Sequence, residues 1–209
     1  MNNCYLDAEA VITFFRMTGR KHIFITGSRG SGKSHLVNNM LKHMSDSFNL
    51  LQSHRTDTPQ VVIKSNLVAD NKEFVIGVPR TSEINPASKG NNMTIIEDGF
   101  INCAIPAIDT HLDTTPERLF VIDELGYLES SCIPFQKAVE KLLDNSHVLA
   151  VIRKQSTEFL NRICNRKDVL VIDIDSTFET LSCIIMASGM SKRFGSNKLI
   201  AYFLSLIHI

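Results

Sequence analysis

Eight consecutive residues, Gly27-Ser28-Arg29-Gly30-Ser31-Gly32-Lys33-Ser34, fit the pattern G-x-x-x-x-G-K-[ST] without a gap. Each residue type has a physical task. The glycines let the backbone curl so that its N–H groups point inward at phosphate oxygens. The helix expected after the loop adds the positive end of its dipole. Lys33 is placed to bridge β- and γ-phosphates, and Ser34 to offer its hydroxyl to Mg²⁺. His35 completes the candidate nucleotide-binding stretch of residues 27–35. Arg29 is within reach of a γ-phosphate, although loop arginines mostly face solvent.

A second element of the same chemistry is the run LFVIDE at 119–124, an apolar strand ending in two acids. Asp123 suits contact with Mg²⁺, often through water. Glu124 then projects toward the γ-phosphate and suits the group that orients or deprotonates an attacking water. Arg153 follows the apolar run VLAVI. Ligands of open α/β sheets bind at the carboxyl ends of strands, so Arg153 is a candidate for stabilising transition-state charge.

The elements that must carry these residues follow from periodicity. Residues 6–18 read as an amphipathic helix between the N-cap Asp7 and the stop Gly19. HIFIT (22–26) reads as a buried strand running into the glycine-rich loop, and Leu36, Val37, Met40, Leu41 and Met44 recur at helical spacing after it. VVIK (61–64) and EFVIGV (73–78) read as a hairpin turning at Asp70-Asn71, 82–92 as a surface loop, 93–97 as a strand, and 100–112 as a helix interrupted by Pro106. Strands at 119–122, 148–152 and 169–174 then alternate with helices at 135–144 and 157–166. Such alternation predicts an α/β fold, a three-layer sandwich on a mainly parallel sheet, and the G-x-x-x-x-G-K-[ST] loop after its first strand makes it of the P-loop NTPase kind.

IFITGSRGSGKSHLV, VIDELGYLES, FQKAVEKLLDN and VLAVIRK, in that order, resemble the cancer-related and thermophilic nucleoside-triphosphatase family. Its second motif, a strand followed by D-E-[IL]-G-x-[ML]-E, stands here as Asp123 to Glu129. The resemblance covers about residues 20–178. It implies Mg²⁺-dependent hydrolysis of nucleoside triphosphates to diphosphates with loose base selectivity. Lys33 and Ser34 would hold phosphate and metal, Asp123 would assist the metal, and Glu124 would be the base. The family's hairpin with glycine and arginine after the first helix is matched only loosely by LLQSHRTDTPQVVIKSN, and Arg55 receives no role.

Past Asp175 the pattern restarts. CIIMA (183–187) reads as a strand leading into SGMSKRFGSNKL (188–199). This resembles the opening signature of molybdenum-cofactor nucleotidyltransferases, A-[AS]-G-x-S-x-R-[MF]-G-x-x-K. Gly189 and Ser191 would belong to a second nucleotide loop, with Arg193 and Lys198 neutralising phosphate. The expected organisation is therefore a P-loop nucleoside-triphosphatase domain over 1–178 and a truncated nucleotidyltransferase-like segment over 179–209, since 31 residues are fewer than a domain needs. The resemblance leaves two alternatives: a bifunctional nucleotidyltransferase whose first domain is regulatory, or a nucleotide switch that does not hydrolyse.

Composition bounds the partners. With 22 Lys+Arg against 22 Asp+Glu among 209 residues, the chain presents no overall basic field for nucleic acid and no polybasic signal for a membrane surface. Five cysteines, an odd number with no C-x-x-C pair, read as core residues or idle thiols rather than a disulfide or zinc framework. The expectation is a cytoplasmic chain whose partners are nucleoside triphosphates, without nucleic acid or membrane partners.

Overall fold

The computed structural model describes residues 7–44, 47–80 and 93–175. Its centre is an eight-stranded sheet in the order β5-β4-β3-β2-β6-β7-β1-β8. The strands are β1 (His22–Gly27), β2 (Phe48–Arg55), β3 (Val61–Ser65), β4 (Phe74–Pro79), β5 (Met93–Ile95), β6 (Leu119–Leu125), β7 (His147–Arg153) and β8 (Val169–Asp173). The block β2-β6-β7-β1-β8 is parallel, and β3, β4 and β5 extend it antiparallel. The helices are α1 (Ala8–Thr18), α2 (Lys33–Met44), α3 (Glu97–Gly99), α4 (Ile105–Thr114), α5 (Ile133–Asn145) and α6 (Glu158–Cys164).

Successive side chains of the central strands enter opposite cores, as the two-residue period requires. Ile23 and Ile25 of β1, Val121 of β6 and Leu149 and Val151 of β7 pack with α1 and α2. Phe24, Phe120, Ile122, Val148 and Ala150 pack on the other face with α4, α5 and α6. Both faces are therefore covered, which explains why these strands read as continuous apolar runs.

The expected termini of α1 hold: the Asp7 carboxylate accepts the Ala10 N–H at 3.1 Å, and Gly19 closes the helix in the left-handed region. The expected hairpin forms between β3 and β4, with Asp70 at φ 58 in its turn. Two details differ from the sequence reading. Residues 48–55, not read as a strand, form β2 beside β6 because Leu51 enters one core while Phe48 and Leu50 pack against the other. The helical stretch 97–114 is not interrupted at Pro106. A π-helical turn, Phe100–Ala104, precedes it and absorbs the missing N–H and the bulk of the ring. Residues 82–92, 179–209 and the strand expected at 183–187 lie outside the described residues. Among the described residues no helix is long and apolar enough to cross a membrane.

Candidate active site

Strand β1 ends at Gly27 and helix α2 begins at Lys33, so the intervening loop is pinned at both ends by core elements. Gly30 and Gly32 hold φ angles of 77° and 94°, a region a side chain disfavours. That is the curl which exposes loop N–H groups above the start of α2. Lys33 lies back over the loop, its Nζ donating to the carbonyls of Gly27 at 2.9 Å and Ser28 at 2.8 Å. The rim of the loop is tied to the end of β8. Ser28 donates its N–H and its hydroxyl to Asp175 at 2.7 and 2.6 Å. Lys154 bridges Asp173 at 2.8 Å and Asp175 at 3.1 Å. The Ser28 hydrogen bonds and the Lys154 ammonium hold the Asp175 carboxyl below the usual carboxylate range.

The carboxylates come from β6. Along a regular strand Asp123 and Glu124 would point to opposite faces. Here the pairing with β7 slips: Asp123 faces Val151 and Leu125 faces Ile152, leaving Glu124 without a partner in that ladder. This bulge lets both acids line the same cleft. Asp123 is half-buried and accepts from Gln52 Nε2 at 3.3 Å. Burial pushes its carboxyl up, against the pull of Gln52. Glu124 forms an ion pair with Arg153, Oε2 to Nε, at 3.1 Å. The Arg153 stem crosses Gly126, where an added Cβ would lie 2.8 Å from Arg153 Cδ.

The loop, both acids and Arg153 surround one cleft of about 1140 Å³. All of the candidate residues from Gly27 to His35, with Asp123, Glu124 and Arg153, contribute to its walls. The Ser34 hydroxyl and the Asp123 carboxylate are hard oxygen donors, the type Mg²⁺ accepts. Among the described residues no cluster of three or more His, Cys, Asp or Glu side chains forms a metal cage. Mg²⁺ commonly takes one or two protein oxygens together with phosphates and water, so this sparse set fits it. Gly189, Ser191, Arg193 and Lys198 lie outside the described residues.

Sequence reasoning missed several members. Ser53 and Gln52 went unseen with β2. Lys154 and Asp175 follow β7 and β8 at their carboxyl ends, where the rule that singled out Arg153 applies equally. Glu129, the last residue of the second motif, is only 6% exposed and lies beneath the bulge. It accepts from the Gly126 N–H at 2.9 Å and from the Ser53 hydroxyl at 3.1 Å. Burial raises its carboxyl above the ordinary range, opposed by these donors.

Residues 22–179 match the sequence profile of the family described as NTPase. The chain belongs to that family. It is 26% identical over 155 residues to the nucleoside-triphosphatase THEP1 of Thermotoga sp. (strain RQ2), covering 73% of this chain and 86% of that protein. The THEP1 nucleoside-triphosphatase of Thermotoga maritima is 23% identical over 154 residues, with the same coverage. Two solved structures share the fold. THEP1 from Aquifex aeolicus has a TM-score of 0.58 at 17% identity, over 75% of this chain and 92% of that one. A human cancer-related nucleoside triphosphatase has a TM-score of 0.55 at 19% identity, over 90% and 97%.

Proposed function

We propose that this NTPase-family chain hydrolyses nucleoside 5′-triphosphates to diphosphate and inorganic phosphate with Mg²⁺. The observation that carries the reading is the Glu124–Arg153 pair, 3.1 Å apart, in the cleft that the phosphate loop closes. The loop N–H groups and Lys33 bind the phosphate chain, and Lys33 exchanges its two loop carbonyls for phosphate oxygens. Ser34 and Asp123 would hold Mg²⁺, which would supply positive charge to the phosphate chain. Glu124 orients a water molecule against the γ-phosphorus and takes its proton. Arg153 leaves Glu124 for the equatorial oxygens as negative charge moves onto them. The THEP1 names of the curated relatives support the substrate class. We assign the reaction to the cytoplasm, in keeping with the free thiols of Cys103, Cys132 and Cys164.

The test is phosphate release from ATP, GTP and CTP, with and without Mg²⁺, by wild type and Glu124→Gln. Turnover in the variant should fall by about 10²- to 10⁴-fold, the range for loss of a general base, while triphosphate binding persists. Undiminished turnover would remove Glu124 from the role of base. Tight binding without any release by the wild type would favour a nucleotide switch.

A further inference from the structure

Glu129 is a buried carboxylate held by a backbone N–H and a hydroxyl, with no cation against it among the described residues, which is a costly arrangement. Its two oxygens divide their work. Oε2 takes the N–H of Gly126, two residues beyond Glu124. Oε1 takes the hydroxyl of Ser53 on β2, and that same oxygen of Ser53 lies 3.4 Å from the Glu124 carbonyl. One side chain therefore ties the Gly126 peptide, just past the bulge, to the neighbouring strand β2. The opposite pole of Gly126 is also fixed, since its carbonyl accepts from the Ser130 N–H at 3.0 Å and the Ser130 hydroxyl at 2.6 Å. Gly126 in turn is the surface over which Arg153 reaches Glu124. An irregular strand end carries no full ladder to hold it, so its aim depends on such side-chain bonds.

We infer that Glu129 is a positioning residue for hydrolysis: through Gly126 and Ser53 it fixes the peptide from which Glu124 projects and the platform beneath Arg153. This rests on the reading of Glu124 as base. Glu129 itself does not touch the phosphate chain or the water. Its effect is on the aim of Glu124, where a displacement of about 1 Å costs on the order of 10²-fold in rate.

The experiment measures single-turnover phosphate release and triphosphate affinity for Glu129→Gln, Glu129→Leu and Ser53→Ala, each alone and in the Glu124→Gln background. Gln keeps an oxygen for Gly126 and a polar partner for Ser53, so Glu129→Gln should stay within about threefold of wild type. Glu129→Leu removes both acceptors at similar volume and should slow turnover by about 10- to 100-fold with affinity unchanged. Ser53→Ala should lose about three- to tenfold, and it serves if Glu129→Leu fails to fold. In the Glu124→Gln background their cost should shrink to what the aim of Arg153 alone contributes, because the base they aim is gone. An equal loss in both backgrounds, a loss of affinity in place of rate, or full activity of both Glu129→Leu and Ser53→Ala overturns the inference. Full activity of Glu124→Gln alone is a separate outcome: it removes the base, and with it the basis of the inference.

Discussion

The two edges of the parallel sheet use polar residues in opposite ways. At the amino edge one cluster is buried and its members satisfy one another. Asn49 donates to His111 Nδ1 at 2.8 Å, His111 Nε2 lies 2.7 Å from the Ser146 hydroxyl, and that hydroxyl donates to the Pro116 carbonyl at 2.8 Å. Arg166 clasps Asp168 at 2.9 and 2.8 Å and reaches Asp144 at 2.9 Å. At the carboxyl edge the polar groups, the buried Glu129 apart, are half-buried or exposed and converge on a cleft. Lys33 rests on carbonyls of its own loop, and Glu124 on an arginine at the surface. The first edge fixes where strands start. The second keeps charged groups in contacts weak enough to exchange for a ligand. Substitutions that cost folding at one edge should therefore leave chemistry alone, and the reverse should hold at the other.

The sharpest break of this contrast is Lys33→Ala. The ammonium makes no contact with the core, and its two bonds are to loop carbonyls. Removing it should lower phosphate release by about 10²-fold or more, weaken triphosphate binding, and leave the melting temperature within a few degrees. Calorimetric melting beside a phosphate-release assay decides this. Co-loss of stability would show that the loop is a folding element as well as a binding one.

The opposite substitution is His111→Ala. It leaves Asn49 and Ser146, both almost fully buried, without their shared partner and opens a cavity beneath Phe120, whose ring centroid lies 4.8 Å from that of the imidazole. The lost hydrogen bonds and the void together should cost about 2–4 kcal/mol in urea unfolding, although Asn49 keeps Thr115 and Ser146 keeps the Pro116 carbonyl. Phosphate release per folded molecule should not change.

How much of each edge the sequence revealed follows the same line. The phosphate loop is written in eight adjacent residues, because its geometry is a property of one stretch of backbone. Asp123, Glu124 and Arg153 were legible through a single rule about strand ends. His111, Asn49 and Ser146 were not, since their meeting depends on three elements 35 and 62 residues apart in the chain. Ser53 was lost with β2, whose alternation of buried and half-buried positions is too shallow to mark a strand beside the hairpin it begins. The π turn before Pro106 shows the converse. A proline was read as an interruption, and packing of Phe100, Cys103 and Ala104 into the core carried the helix across it.

Acid should act first on the amino edge. His22 is fully buried at the start of β1. Desolvation lowers its pKa to about 4, even though Asp168 Oδ2 lies 3.4 Å from Nε2 and pulls the other way. Folding thus requires a neutral imidazole. The stability this gives is complete above the unfolded value of about 6.5 and is lost as pH falls from there to about 4, by up to roughly 3 kcal/mol. Asp168, held down to about 2 chiefly by Arg166, keeps its charge across that interval. Unfolding free energies measured between pH 7 and 4 should decline, and His22→Leu should flatten the decline. An unchanged slope in that variant would move the acid sensitivity elsewhere.

The smallest effect is expected where the comparison is least clear, at Asp175. This carboxylate belongs to the carboxyl edge, yet it ties the phosphate loop to β8 as the amino-edge groups tie strands. Two consequences of Asp175→Asn oppose each other. A neutral amide still accepts one bond from Ser28 but releases Lys154, which loosens the loop and should raise KM. It also removes a negative charge beside a site for a polyanion, which should lower KM. Both groups are exposed and screened by water, so each contribution is small. The charge effect should prevail at low ionic strength, since the second Ser28 donor can turn to water. KM for the triphosphate should then fall about twofold, and the difference should vanish near 0.5 M salt. A salt-independent rise in KM would instead make Asp175 a structural tether that happens to stand at the functional edge.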